Sequence, residues 1–60
     1  MMHFEMYRDD RNEWRWRLKA KNGRIIADSG EGYATRRAAL RGIELVRASG
    51  GAPLVQPEKS

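Results

Sequence analysis

The chain has 60 residues with no cysteine, one histidine and a formal net charge of +4. A domain this short buries only about 60% of the surface its unfolded form exposes. With no disulfide and no cluster of metal ligands, its stability has to come from tight packing or from oligomerisation. Nine of its twelve basic residues are arginine, a side chain suited to bidentate contacts with carboxylate or phosphate, although a mildly basic surface is first of all a solvated one. No apolar run approaches the length of a membrane span, no leader is evident, and the expected compartment is the cytoplasm.

Residues 3–8 read as a first strand, with Phe4 and Met6 on one face and Glu5 and Tyr7 on the other. Residues 9–12 (Asp-Asp-Arg-Asn) form a polar turn. Residues 13–21 are the central strand, in which Trp14, Trp16 and Leu18 alternate with Arg15, Arg17 and Lys19. Opposed residues of an antiparallel pair share a face, so matching Phe4 and Met6 to the tryptophans requires an odd loop, residues 9–11 or 9–13. The longer loop is preferred because it lets Asn12 take a left-handed conformation.

Asn22-Gly23 predicts a two-residue type I′ hairpin. It pairs Lys21 with Arg24, Ala20 with Ile25, Leu18 with Ala27, and Arg17 with the opposite charge of Asp28. The expected apolar face then holds Phe4, Met6, Trp14, Trp16, Leu18, Ala20, Ile25 and Ala27. Glu5, Tyr7, Arg15, Arg17, Lys19, Ile26 and Asp28 fall on the other.

Residues 29–34 (Ser-Gly-Glu-Gly-Tyr-Ala) form a glycine-containing crossover anchored by Tyr33; they lack the spacing and the Gly-Lys-Ser/Thr ending of a phosphate-binding loop. Thr35 is an N-cap for a helix over 36–48. The stripe Ala39, Ile43 and Val46 should cover the tryptophan face, with Gly42 permitting close approach to a tryptophan, Leu45 off the stripe, and Arg37, Arg41 and Glu44 in solvent. Ser49-Gly50-Gly51 ends the helix. Leu54 and Val55 are candidates for a short edge strand between prolines.

The expected fold class is α+β, a three-stranded antiparallel meander followed by one helix and a short C-terminal strand. Residues 1–56 make a single domain and residues 57–60 a disordered tail. The expected core is Phe4, Met6, Trp14, Trp16, Leu18, Ile25, Ala39, Ile43 and Val46.

The combination of Phe4-Glu5-Met6-Tyr7, Trp14-Arg15-Trp16-Arg17-Leu18-Lys19, Asn22-Gly23, Glu31-Gly32-Tyr33 and Gly42-Ile43-Glu44 resembles the YegP-like family, short domains of unknown function. The likeness spans about residues 3–48. It departs from the family pattern at Arg41, Ser49 and Gly50-Gly51. The resemblance implies a β-β-β-α-β unit that joins a second unit in one sheet and exchanges C-terminal strands with it. A chain with one unit is then expected to be a strand-swapped homodimer. The resemblance supplies no activity and no site residues.

No catalytic set is evident. Ser29, Thr35, Ser49 and Ser60 have no base to form a nucleophile pair, Asp9 and Asp10 are placed to shape a turn, and His3 lies at the N-terminal surface. The expectation is therefore a non-catalytic homodimeric interaction module with no cofactor, metal or membrane partner. The alternative is nucleic-acid or anion binding through a basic sheet face made of Tyr7, Arg15, Arg17, Lys19 and Arg24. An enzyme or anion-binding protein built on the Ser29–Tyr33 loop has the least support.

Overall fold

The computed structural model describes residues 1–58; Lys59 and Ser60, the end of the expected tail, lie outside the described residues. Three strands, β1 (His3–Arg8), β2 (Trp14–Lys19) and β3 (Ile25–Asp28), precede the helix α1 (Arg36–Ala48) and a 3-10 turn (Ser49–Gly51). The sheet is antiparallel in the order β1-β2-β3, with β2 at its centre. Residues 52–57 carry no assigned strand, and all are exposed.

The β1–β2 hairpin has the expected parity: Phe4 faces Leu18, Met6 faces Trp16, Arg8 faces Trp14, and the ladder leaves residues 9–13 as loop. Asp9 and Glu13 close that loop through a bond from Asp9 N–H to the Glu13 carbonyl (2.9 Å), while Asn12 N–H donates back to Asp9 O (2.9 Å). Asn12 is left-handed, at φ 64°. Within this five-residue segment the Asp9–Glu13 bond encloses residues 10–12, a turn followed by one left-handed residue, a common hairpin solution.

The second hairpin uses the same device, and here the expected type I′ turn is corrected. Gly23 N–H donates to Ala20 O (2.9 Å) and Ala20 N–H to Arg24 O (2.8 Å), so the loop is Lys21, Asn22 and Gly23. Gly23 alone in this loop has a positive φ, 87°; Asn22 does not. Ala20 therefore faces Arg24, and Lys19 faces Ile25. The register then shifts by one, so that Leu18 faces Ala27 and Arg17 faces Asp28 as expected, with Ile26 as the extra residue of a bulge. The longer turn and the bulge cancel beyond Ile26 and differ only between them.

The core forms where α1 crosses β2. Trp16, Ala39 and Ile43 are buried, and Phe4, Met6, Trp14, Tyr33 and Val46 pack around them. Phe4 meets Trp16 edge to face at 5.7 Å, the geometry that the ring quadrupoles favour. Leu18 is half-buried at the margin. Ile25 is not a core residue: it is 55% exposed. Its partner is Lys19, and opposed residues share a face, so the three-residue turn moves Ile25 away from the tryptophan side.

The helix has the expected limits. Thr35 Oγ1 accepts from Ala38 N–H (3.1 Å), the N-cap bond. The crossover is tied down by a two-bond bridge between Trp14 and Tyr33, each N–H donating to the other's carbonyl at 2.8 Å. That bridge sets the start of α1 beside the first residue of β2, from which the helix runs over Trp16 to place Arg47 above the ring of Phe4 (5.8 Å). Among the described residues no helix is long and apolar enough to cross a membrane.

Candidate functional site

The sheet face opposite α1 carries the polar half of the alternating strands. Register puts Glu5 opposite Arg17 and Tyr7 opposite Arg15. Tyr7, Arg15, Arg17 and Lys19 are thus brought onto one face by the pleat. Arg24 is not with them: it closes the second turn opposite Ala20, whose alternation belongs to the Trp16 side.

The cations of this face are engaged by acids. Arg17 Nε donates to Glu5 Oε1 (2.9 Å), and Lys19 Nζ stands 3.9 Å from the same oxygen. The other Glu5 oxygen meets His3 Nε2 at 3.1 Å. Arg17 also stacks over Tyr7, 4.6 Å from the ring centroid. The expected partner of Arg17, Asp28, stands opposite it but accepts instead from Gly30 N–H (3.0 Å) at the start of the crossover.

Asp9 does two jobs. Oδ1 accepts from the backbone N–H of Arg11 (2.9 Å) and of Glu13 (3.0 Å), which shapes the first turn. Oδ2 accepts from Arg15 Nε at 2.6 Å. The sequence marked Asp9 as a turn residue but did not reveal that it holds Arg15. The signal available was parity: once the loop is 9–13, Tyr7 and Arg15 must face one another, and Asp9 follows two residues after Tyr7.

These contacts have the expected electrostatic consequences. The His3 hydrogen bond, and then Arg17, hold the Glu5 carboxyl below its ordinary value. Asp9 is held low first by the Glu13 N–H and then by Arg15. Its hydrogen bond to Asp9 raises Arg15. The hydrogen bond to Glu5, with a second to the Met1 carbonyl, raises His3 above 6.5.

The hydroxyls are occupied by backbone. Ser29 Oγ donates to Glu31 O (2.8 Å), Thr35 caps α1, and Ser49 Oγ donates to Val46 O (2.6 Å). Among the described residues there is no cavity, and no three His, Asp or Glu side chains converge as metal ligands. As arranged, the face is a ladder of ion pairs in which Asp9 takes up Arg15 and Glu5 is shared by Arg17 and Lys19.

Residues 9–56 match the model of a domain of unknown function, DUF1508. The chain is 42% identical over 55 residues to a UPF0339 protein of Neisseria meningitidis serogroup B, covering 92% of this chain and 96% of that one. It is 52% identical over 44 residues to a UPF0339 protein of Treponema denticola, covering 73% and 74%. The fold is similar to the NMR solution structure of a protein from Haloferax volcanii, with a TM-score of 0.84, 45% identity and 93% of each chain covered.

Proposed function

This chain belongs to the DUF1508 family of UPF0339, YegP-like proteins, a family of unknown function, and we propose that it serves as a non-catalytic interaction module that works as a homodimer in the cytoplasm. One observation carries the proposal: the apolar surface left over by the fold. Among the described residues only Trp16, Ala39 and Ile43 are buried, while Ile25, Ile26, Leu45, Leu54 and Val55 are each more than half exposed. Both β1 and β3 are edge strands. So small a core is thin support for a lone domain, and open edges beside exposed apolar residues are what a second chain covers.

In this reading residues 52–56 of each chain add as a strand to the partner's sheet. Leu54, at 95% exposure, makes no use of its apolar surface within its own chain. The non-catalytic part rests on the side chains themselves: the serine and threonine hydroxyls described above are bound to backbone groups, and the sole histidine is bound to Glu5. Polyanion binding through Arg15, Arg17 and Lys19 draws no comparable support, because Asp9 and Glu5 already occupy those cations.

Light scattering at micromolar concentration is the test. The expected mass is about twice the 6.9 kDa of one chain. A 6.9 kDa particle that unfolds cooperatively would overturn the proposal.

A further inference from the structure

Among the described residues, Arg8, Arg11, Lys21 and Arg24 in and beside the hairpin turns, and Arg36, Arg37 and Arg41 on the helix, have no acid at ion-pair distance. Of these, Arg37 and Arg41 share one face of one helix. Arg15 is held by Asp9, Arg17 and Lys19 by Glu5, and Arg47 by Glu44 at 3.6 Å. Arg36, Arg37 and Arg41 are exposed. Arg37 and Arg41 are four residues apart, so they stand on one face about 6 Å apart along the axis. Helical spacing puts that face roughly opposite Ala39 and Ile43, which are buried against the sheet.

This arrangement works against the helix. Like charges at i,i+4 repel. Arg36 and Arg37 also occupy the first turn, where the backbone dipole disfavours cations, and no acidic residue there offsets them. Folding alone would favour neutral or acidic residues at these positions. A local rule broken without compensation inside the chain points to a use outside it.

We infer that the outer ridge of α1, centred on Arg37 and Arg41, binds the phosphodiester backbone of nucleic acid. Guanidinium groups pair with phosphate through two parallel hydrogen bonds. The ridge is convex and borders no cavity, so a small anion would find no enclosing site. An extended polyanion needs none. Leu45 is exposed at one end of the ridge and Glu44 borders it, but Arg37 and Arg41 at its centre are cationic, and a phosphodiester backbone matches that charge. No aromatic residue lies on α1 to stack bases, so recognition is independent of sequence and strongly dependent on salt. The site is on the opposite side of the molecule from the Arg15–Arg17–Lys19 strip.

The experiment is fluorescence anisotropy with a labelled short DNA duplex across a salt series, with polyglutamate as a second probe. It compares the unmodified chain, R37Q/R41Q, and the charge-matched R11Q/K21Q in the two hairpin turns. Removing both ridge arginines should relieve helix repulsion, so that variant should melt no lower than the unmodified chain, which separates lost binding from lost fold. The expected result is duplex binding that weakens with salt, with the slope of log affinity against log salt reduced by about 2 in R37Q/R41Q and less in R11Q/K21Q. No duplex binding at low salt, equal losses in both double variants, or binding to polyglutamate alone would each overturn it.

Discussion

Gly42 lies against the indole of Trp16: a Cβ at position 42 would stand 2.9 Å from Trp16 Nε1 and 2.9 Å from the Tyr33 hydroxyl oxygen. The helix thus gives up about 1 kcal/mol of propensity at its middle to approach the central strand closely. Trp16 Nε1 is buried there without a hydrogen-bond partner among the described residues. The helix approaches the Trp16 indole and the Tyr33 ring closely although the indole N–H goes unpaired.

Gly42→Ala should therefore destabilise the protein even though alanine is the better helix former. Overpacking of about 1–3 kcal/mol outweighs the propensity gain, for a net loss of about 1 kcal/mol. Trp16→Ala should cost about 3–5 kcal/mol, enough to unfold so small a domain. Chemical denaturation measures both; a more stable Gly42→Ala protein would mean that the helix sits further from Trp16.

The second hairpin distinguishes two neighbouring positions. Gly23 is left-handed with open space around it, so Gly23→Ala should cost about 1–2 kcal/mol from backbone strain alone. Asn22 is not left-handed, and its Oδ1 only accepts from the exposed Arg24 N–H (3.1 Å). Asn22→Ala should be the milder change. The reverse order in thermal melts would restore the two-residue type I′ turn.

Stability should fall on both sides of a neutral-to-mildly-acid plateau. Glu5 and Asp9 have folded values below their ordinary 4.5 and 3.8, so their contribution is present above those values and is lost as pH falls through the folded ones. His3 is raised above 6.5, so its smaller, surface contribution is full below 6.5 and is lost as pH rises through the folded value. Melting temperature against pH should show a shallower acid limb in D9N and no alkaline decline from this source in H3Q. Superimposable curves for all three proteins would refute the assignment.

Removal of residues 49–60 should lower the melting temperature and convert the dimer to monomer, because it deletes the segment proposed to pair with the partner. A shortened chain that keeps both mass and melting temperature would show that the segment takes no part. L54D/V55D tests the same contact with the chain length intact.

Local chemistry was enough for much of this molecule. The alternation of Trp14, Trp16 and Leu18 with Arg15, Arg17 and Lys19 specified β2 and its two faces. Loop parity specified the partner of β1, and the Thr35 cap with the Ala39–Ile43–Val46 stripe specified α1. Each of these rests on a periodicity or a cap within a few residues, so no distant part of the chain is needed to read it.

Three-dimensional pairing decided the rest. Asn22-Gly23 fits either a two- or a three-residue loop, and the choice reverses the face of every residue up to the bulge. Ile25 accordingly left the core, and Arg24 left the basic strip. Arg17 had two acids opposite it, one on each neighbouring strand. Glu5 took it, while Asp28 accepts from the Gly30 N–H. The sequence by itself determined the three strands, the helix and the two faces of β1 and β2. Only the tertiary structure decided which charges cancel, because an ion pair is set by distance across strands, and that distance depends on the turn.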